Sequence, residues 1–270
     1  MTLSMLNYLN DGMAAFLLVF FRMTGVVLAA PMLANPGLPP RIRVWFAFAL
    51  AVVVFPIVQS RSESGAFLTL FRSEAMTVLA VGSELAIGWV MGWTASIALY
   101  AAQFAGHIVG QEVGISIGDV FDPITQTSAS PYANLFLTVA TLVFVVCGGH
   151  LALFEAVVKT FDSAPIGGLF DVSPQSAMLM ARDFGSEIFS LGLRLALPTM
   201  LALLIATISM AILARAVPEM NIFIVGFTIR IVAGLFVVVL MVPLMIQLMT
   251  EFVSGTTEYF GELQLLWERG

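Results

Sequence analysis

A chain of 270 residues that is 60% hydrophobic and only 10% charged, with a mean hydropathy of +1.01, has too few charges to clothe a soluble core, since a soluble domain carries about 25% charged residues. It reads as an integral membrane protein. The net charge of −6 argues against nucleic acid as a partner, and the single cysteine, Cys147, excludes an internal disulfide or a cysteine-based zinc site.

Six apolar stretches approach the ~20 residues that cross a hydrocarbon core. The first covers 13–33, broken only by Arg22, with Asn10 or Asp11 as a plausible N-cap. No basic residue precedes it and no small-residue cleavage site follows, so it is expected to stay in the mature protein. The turn Asn35-Pro36-Gly37-Leu38-Pro39-Pro40 ends it. The second stretch is 44–58, followed by a polar loop. The third runs from 75 past Tyr100 and contains Glu84. The fourth is 133–158, the fifth 188–213 with Arg194 and Pro198, and the sixth 222–249 with Arg230 and Pro243. From Ser254 the tail mixes acids with Tyr259, Phe260 and Trp267 and suggests a short surface helix. The connection 162–174 holds Gly167-Gly168 and reads as a turn-rich loop. No strand-period alternation is present, so the fold class is all-α, with about six long hydrophobic helices. Loop basics split five against three for a cytoplasmic N-terminus, too even to orient the chain.

Between the third and fourth stretches stand Gly106, Gly110, Gly114 and Gly118, each four residues from the next. In a helix they form one bare stripe against which another backbone can lie. Outside a helix they make the segment easy to bend. Either state suits a tightly fitted or moving part. Glu84, Gly88 and Gly92 share a helical face, and the two glycines offer a small-xxx-small contact surface. Arg22, Glu84, Arg194 and Arg230 interrupt apolar runs, at a cost of about 2.5–3.5 kcal/mol each at a bilayer centre. They either pair with another helix or subunit or snorkel to the interface.

Gly114-Ile115-Ser116-Ile117-Gly118 matches the nucleophile-elbow pattern, with Asp119, Asp122 and His150 following in hydrolase order. An elbow needs a strand before it, and the glycine ladder generates the same spacing unaided. His107 and His150 have their nearest downstream acids, Glu112 and Glu155, five residues away, whereas helical metal pairs use three or four. No metal site or cofactor is expected. No phosphate-cradling loop occurs, so transport energy would come from an ion gradient or a partner. A small-molecule secondary transporter is the rival reading, but it should show two matching halves with paired interruptions, and none is seen.

Four stretches in order resemble the FliR family, the flagellar membrane export-gate proteins of type III secretion, over nearly the whole chain. They are Arg22, Gly25, Pro31 and the Pro39-Pro40-Arg41 turn; Glu84, Gly88 and Gly92; Gly110, Gln111, Glu112, Val113, Gly114, Ile115 and Ser116 with Asp122 and Pro123; and Pro218, Glu219, Met220, Asn221, Ile222 and Phe223 with Gly226. Two positions depart: Glu219 stands where the family has Gln, and Glu112 adds an acid. The resemblance implies a non-enzymatic pore component in the bacterial inner membrane, at the flagellar basal body. It implies a hetero-oligomeric helical ring with FliP and FliQ, working with FlhA and FlhB on unfolded protein substrates. It further implies a FliP-like part over 1–185, a FliQ-like hairpin over 186–254 and a tail over 255–270. The central segment 106–123, including Ile117 and Gly118, would then help plug the closed channel. Arg22, Glu84, Gly88, Gly92 and Arg230 would serve helix or subunit packing.

Overall fold

The computed structural model describes residues 2–33, 37–59, 74–114, 130–167, 174–217 and 222–268. Among these, every regular element is a helix: α1 (Thr2–Ala29), α2 (Pro40–Gln59), α3 (Glu74–Val113), α4 (Pro131–Val146), α5 (Gly149–Ser163), α6 (Pro174–Ala216) and α7 (Ile222–Glu268). Five are long and apolar enough to cross a membrane, or six spans if α4 and α5 count as one broken span. The fold is that of an all-α integral membrane protein. Helices suit this solvent because each satisfies its own backbone. The hydroxyls follow the same rule: Thr24, Thr94, Thr141 and Thr207 each donate to the carbonyl four residues back, at 2.7–2.8 Å.

The helices differ from the sequence reading in four places. The fourth stretch is not one helix. It breaks at Cys147 and Gly148, where Gly148 takes φ 75, a left-handed conformation open mainly to glycine. Its carbonyl then accepts from Leu151 and Ala152, starting α5 afresh. The third stretch extends through Gly106 and Gly110 to Val113, so the first part of the supposed loop 106–123 is helix. At Gly114, φ turns to 89 and the helix stops. The tail is no separate surface helix, because α7 continues unbroken to Glu268. The fifth stretch starts earlier, at Pro174, whose missing N–H is harmless at a helix start.

The chain divides into two compact units. Unit 1 holds Met1–Ser96, Gly148–Ala181 and Val253–Gly270. Here α1 and α2 pack through Phe16, Phe20, Phe48 and Phe55, whose rings meet edge-on at 5.5–6.3 Å. On α2 the buried residues Ala47, Ala51, Val54 and Val58 recur at three or four. Its other side leaves Trp45, Val52 and Val53 exposed. Unit 2 holds Ile97–Cys147 and Arg182–Phe252. Its core joins Ala101, Ala105, Val109 and Val113 of α3 to Phe136 and Ala140 of α4, Leu195 and Leu203 of α6, and Val238 and Met245 of α7.

Candidate functional site

Arg22 and Glu84 lie 62 residues apart in the chain and meet inside unit 1. Arg22 Nε donates to Glu84 Oε2 at 2.6 Å, and both side chains are 0% exposed. The rest of the guanidinium is also occupied. Nη1 donates to Thr160 Oγ1 at 3.2 Å, and Nη2 donates to the Ala164 carbonyl at 2.9 Å. Its face lies over the Phe161 ring, with Cζ 4.0 Å from the centroid. The second carboxylate oxygen of Glu84 accepts from the Gly167 backbone N–H at 2.9 Å. Thr160 Oγ1 in turn donates to the Val157 carbonyl at 2.6 Å. Two charges are thus taken out of solvent only where each finds several partners, as a buried pair requires.

The helices can come this close because glycines stand where the backbones of α1 and α3 meet. A Cβ added at Gly88 would strike the Arg22 carbonyl, and one at Gly25 would strike the Leu85 carbonyl. At Gly92 it would lie 2.6 Å from the Val26 carbonyl. Four residues on, Ser96 Oγ donates to the Ala29 carbonyl at 2.8 Å. Contacts advance together along both helices, from Arg22 and Gly88 to Ala29 and Ser96, so the two run parallel. Among the described residues, Arg22 and Glu84 present no exposed surface to a substrate. It is a clamp that ties α1, α3, α5 and the 164–167 turn.

A second seam lies in unit 2. A Cβ at Gly106 would fall 2.6 Å from the Tyr132 carbonyl, and one at Gly110 would strike Ser130 Oγ. Both glycines carry the start of α4. On α7, a Cβ at Gly234 would approach Tyr132 Oη to 2.9 Å and Val113 Cγ2 to 3.0 Å. Tyr132 Oη donates to the Ile231 carbonyl at 3.2 Å. The glycine stripe is therefore a packing surface over its helical half. Gln111 and Glu112 are exposed on α3, Val113 is buried, and Gly114 forms the terminating turn.

Ile115, Ser116, Ile117, Gly118, Asp119, Asp122 and Pro123 lie outside the described residues, as do Pro218, Glu219, Met220 and Asn221. Phe223 falls in the first turn of α7. Arg194 is exposed on α6 and Arg230 half-buried on α7, and among the described residues neither makes an ion pair. His107 is exposed on α3, and His150 opens α5. No cluster of three metal-ligating side chains occurs among the described residues. Thr160, Phe161 and Gly167 had no local signal, because nothing near them in sequence points to Arg22. Gly25 stood in the opening motif, but without the register of α3 its spacing to Gly88 meant nothing.

The chain matches the family described as bacterial export proteins, family 1, over residues 13–256. It is 28% identical to the flagellar biosynthetic protein FliR of Escherichia coli (strain K12) over 270 residues, which is 97% of this chain and 100% of that protein. It is 25% identical to the flagellar biosynthetic protein FliR of Bacillus subtilis (strain 168) over 263 residues, 97% of this chain and 98% of that protein. The surface presentation of antigens protein SpaR of Shigella flexneri is 22% identical over 246 residues, 91% of this chain and 87% of that protein.

Proposed function

This chain belongs to the bacterial export proteins, family 1, and on that premise we propose that it is a core, non-enzymatic component of the flagellar type III protein export channel. It forms the pore with FliP and FliQ, receives cargo through FlhA and FlhB, and resides in the inner membrane at the basal body. Unfolded flagellar subunits are the cargo. A FliP-like part over 1–185 precedes a FliQ-like hairpin over 186–254. The observation that carries the flagellar reading is identity, 28% and 25% to the two flagellar relatives against 22% to the surface presentation of antigens protein SpaR.

Within that channel, residues 106–113 anchor and 114–123 close. The anchor reading is supported by Gly106 and Gly110, which let α3 seat on the start of α4. It narrows the plug to the part beyond Val113, where α3 ends in a left-handed turn. A closing element needs to be thin, deformable and apolar; Gly114 and Gly118 supply the thinness, and Ile115 and Ile117 the apolar surface. Deleting 114–118 is expected to make the closed assembly leak small ions while leaving its assembly intact. Membranes that stay tight after that deletion would reject the plug. Deleting the gene is expected to abolish filaments and motility with normal growth, and retained filaments would reject the flagellar reading.

A further inference from the structure

From Ile97 onward, α3 carries one face that unit 2 leaves uncovered. Tyr100, His107 and Gln111 are exposed and Gln103 is half-buried, while Ala101, Ala102, Ala105, Val109 and Val113 are buried. At 3.6 residues per turn, Tyr100, Gln103, His107 and Gln111 fall within about a quarter of the circumference. None of the four has a side-chain hydrogen bond among the described residues. None is an acid, a lysine or an arginine. Glu112 is exposed but stands about 100° further round.

Faces suited to lipid look different in the same unit. They carry Leu142 and Val146 on α4, and Ile205, Ile208 and Ile212 on α6. A phenol, two amides and an imidazole turned to lipid would leave donors and acceptors unpaired. A sister helix packed tightly there would want small residues on this face, and these side chains are long. An extended polypeptide fits better. It presents one N–H and one C=O per residue whatever its sequence. Each of the four side chains can donate and accept, so each can answer either group. With no carboxylate or permanent cation among them, they would not retain cargo of one charge. The face ends at Gln111, next to the point where α3 stops.

We propose that Tyr100, Gln103, His107 and Gln111 line the export path and touch the unfolded polypeptide in transit, an inference that rests on the export reading above. The test starts from Cys147→Ser, which removes the only native thiol. Gln103→Cys, His107→Cys and Gln111→Cys are added singly, with Leu142→Cys and Ile208→Cys as controls. Cells receive an export substrate stalled by a folded C-terminal domain and carrying one cysteine in its threaded part. The intact export complex is then oxidised and purified. Disulfides to the substrate are expected from the three α3 positions and not from the controls. A stalled substrate that co-purifies without those disulfides would overturn this inference and leave the export reading standing. Disulfides from these positions to another membrane subunit would overturn it equally. If the substrate does not co-purify, both readings fall. As a second measurement, Gln103→Leu, His107→Leu and Gln111→Leu together are expected to slow secretion several-fold at normal complex levels, and unchanged secretion would count against the stripe.

Discussion

Arg22 joins three parts of unit 1 through one side chain. Its guanidinium reaches α3 through Glu84, α5 through Thr160 and Phe161, and the following turn through the Ala164 carbonyl. Removing one member of such a pair strands the other charge, at about 3–5 kcal/mol. Glu84→Ala is therefore expected to lower the thermal midpoint in detergent sharply and to deplete the protein from membranes. The swap Arg22→Glu with Glu84→Arg is expected to recover only part of the loss, because Thr160 and Ala164 are placed for a guanidinium at position 22. Full recovery on an immunoblot would show that net charge alone matters there. Glycines give a second contrast at this scale. Gly88→Ala meets the Arg22 carbonyl, whereas Gly82→Ala meets nothing within 4 Å. The first should destabilise the protein. The second should be neutral or stabilising by up to about 1 kcal/mol, the helix preference of Ala over Gly. Equal midpoints for the two variants would contradict the seam.

At the scale of elements, α3 is central because it serves both units along a 40-residue helix, about 60 Å long. Four in-register glycines do not break it before Gly114, since Gly88, Gly92, Gly106 and Gly110 all abut neighbouring chain. The close packing offsets a helix penalty of about 1 kcal/mol per glycine. Tyr132 plays the matching part at the start of α4, where its hydroxyl bonds α7 and its backbone lies on α3. Tyr132→Phe removes one hydrogen bond and leaves the Ile231 carbonyl unpaired by it. The expected loss is about 0.5–1.5 kcal/mol, read as a modest fall in midpoint. Gly234→Ala should cost more, because its methyl would press on both Tyr132 and Val113. A larger effect from Tyr132→Phe than from Gly234→Ala would reverse that account.

For the whole molecule, the apolar surface is far from covered. The spans in α2, α6 and α7 are buried over only 22%, 28% and 28% of their length, against 56% for that in α1. Lipid or sister subunits must cover the remainder. Partners that bind the folded chain and not the unfolded one raise its stability by mass action. The thermal midpoint is therefore expected to rise when the chain is purified within its export complex, compared with the chain alone. An unchanged midpoint would mean that lipid, not protein, occupies those faces.

Composition and hydropathy by themselves determined that this is a membrane protein with about six apolar spans, because the bilayer rewards apolar length locally and needs no knowledge of contacts. The ordered motifs were equally legible and led to the family. The face shared by Glu84, Gly88 and Gly92 was readable too, since helical periodicity spans only a few residues. What the sequence left open was who meets that face. Arg22 could as well have snorkelled, and its partners at Glu84, Thr160 and Ala164 lie 62, 138 and 142 residues away. The same holds for Gly106 and Gly110, where bend and packing stripe were both admissible until Tyr132 and Ala133 were found against them. Nor did the apolar run 133–158 reveal its break, because apolar composition continues through it and a glycine such as Gly148 is compatible with a helix interior as well as with a left-handed turn. Local patterns choose helices; only the tertiary structure chooses which helix lies against which, because those contacts join residues that sequence periodicity cannot relate.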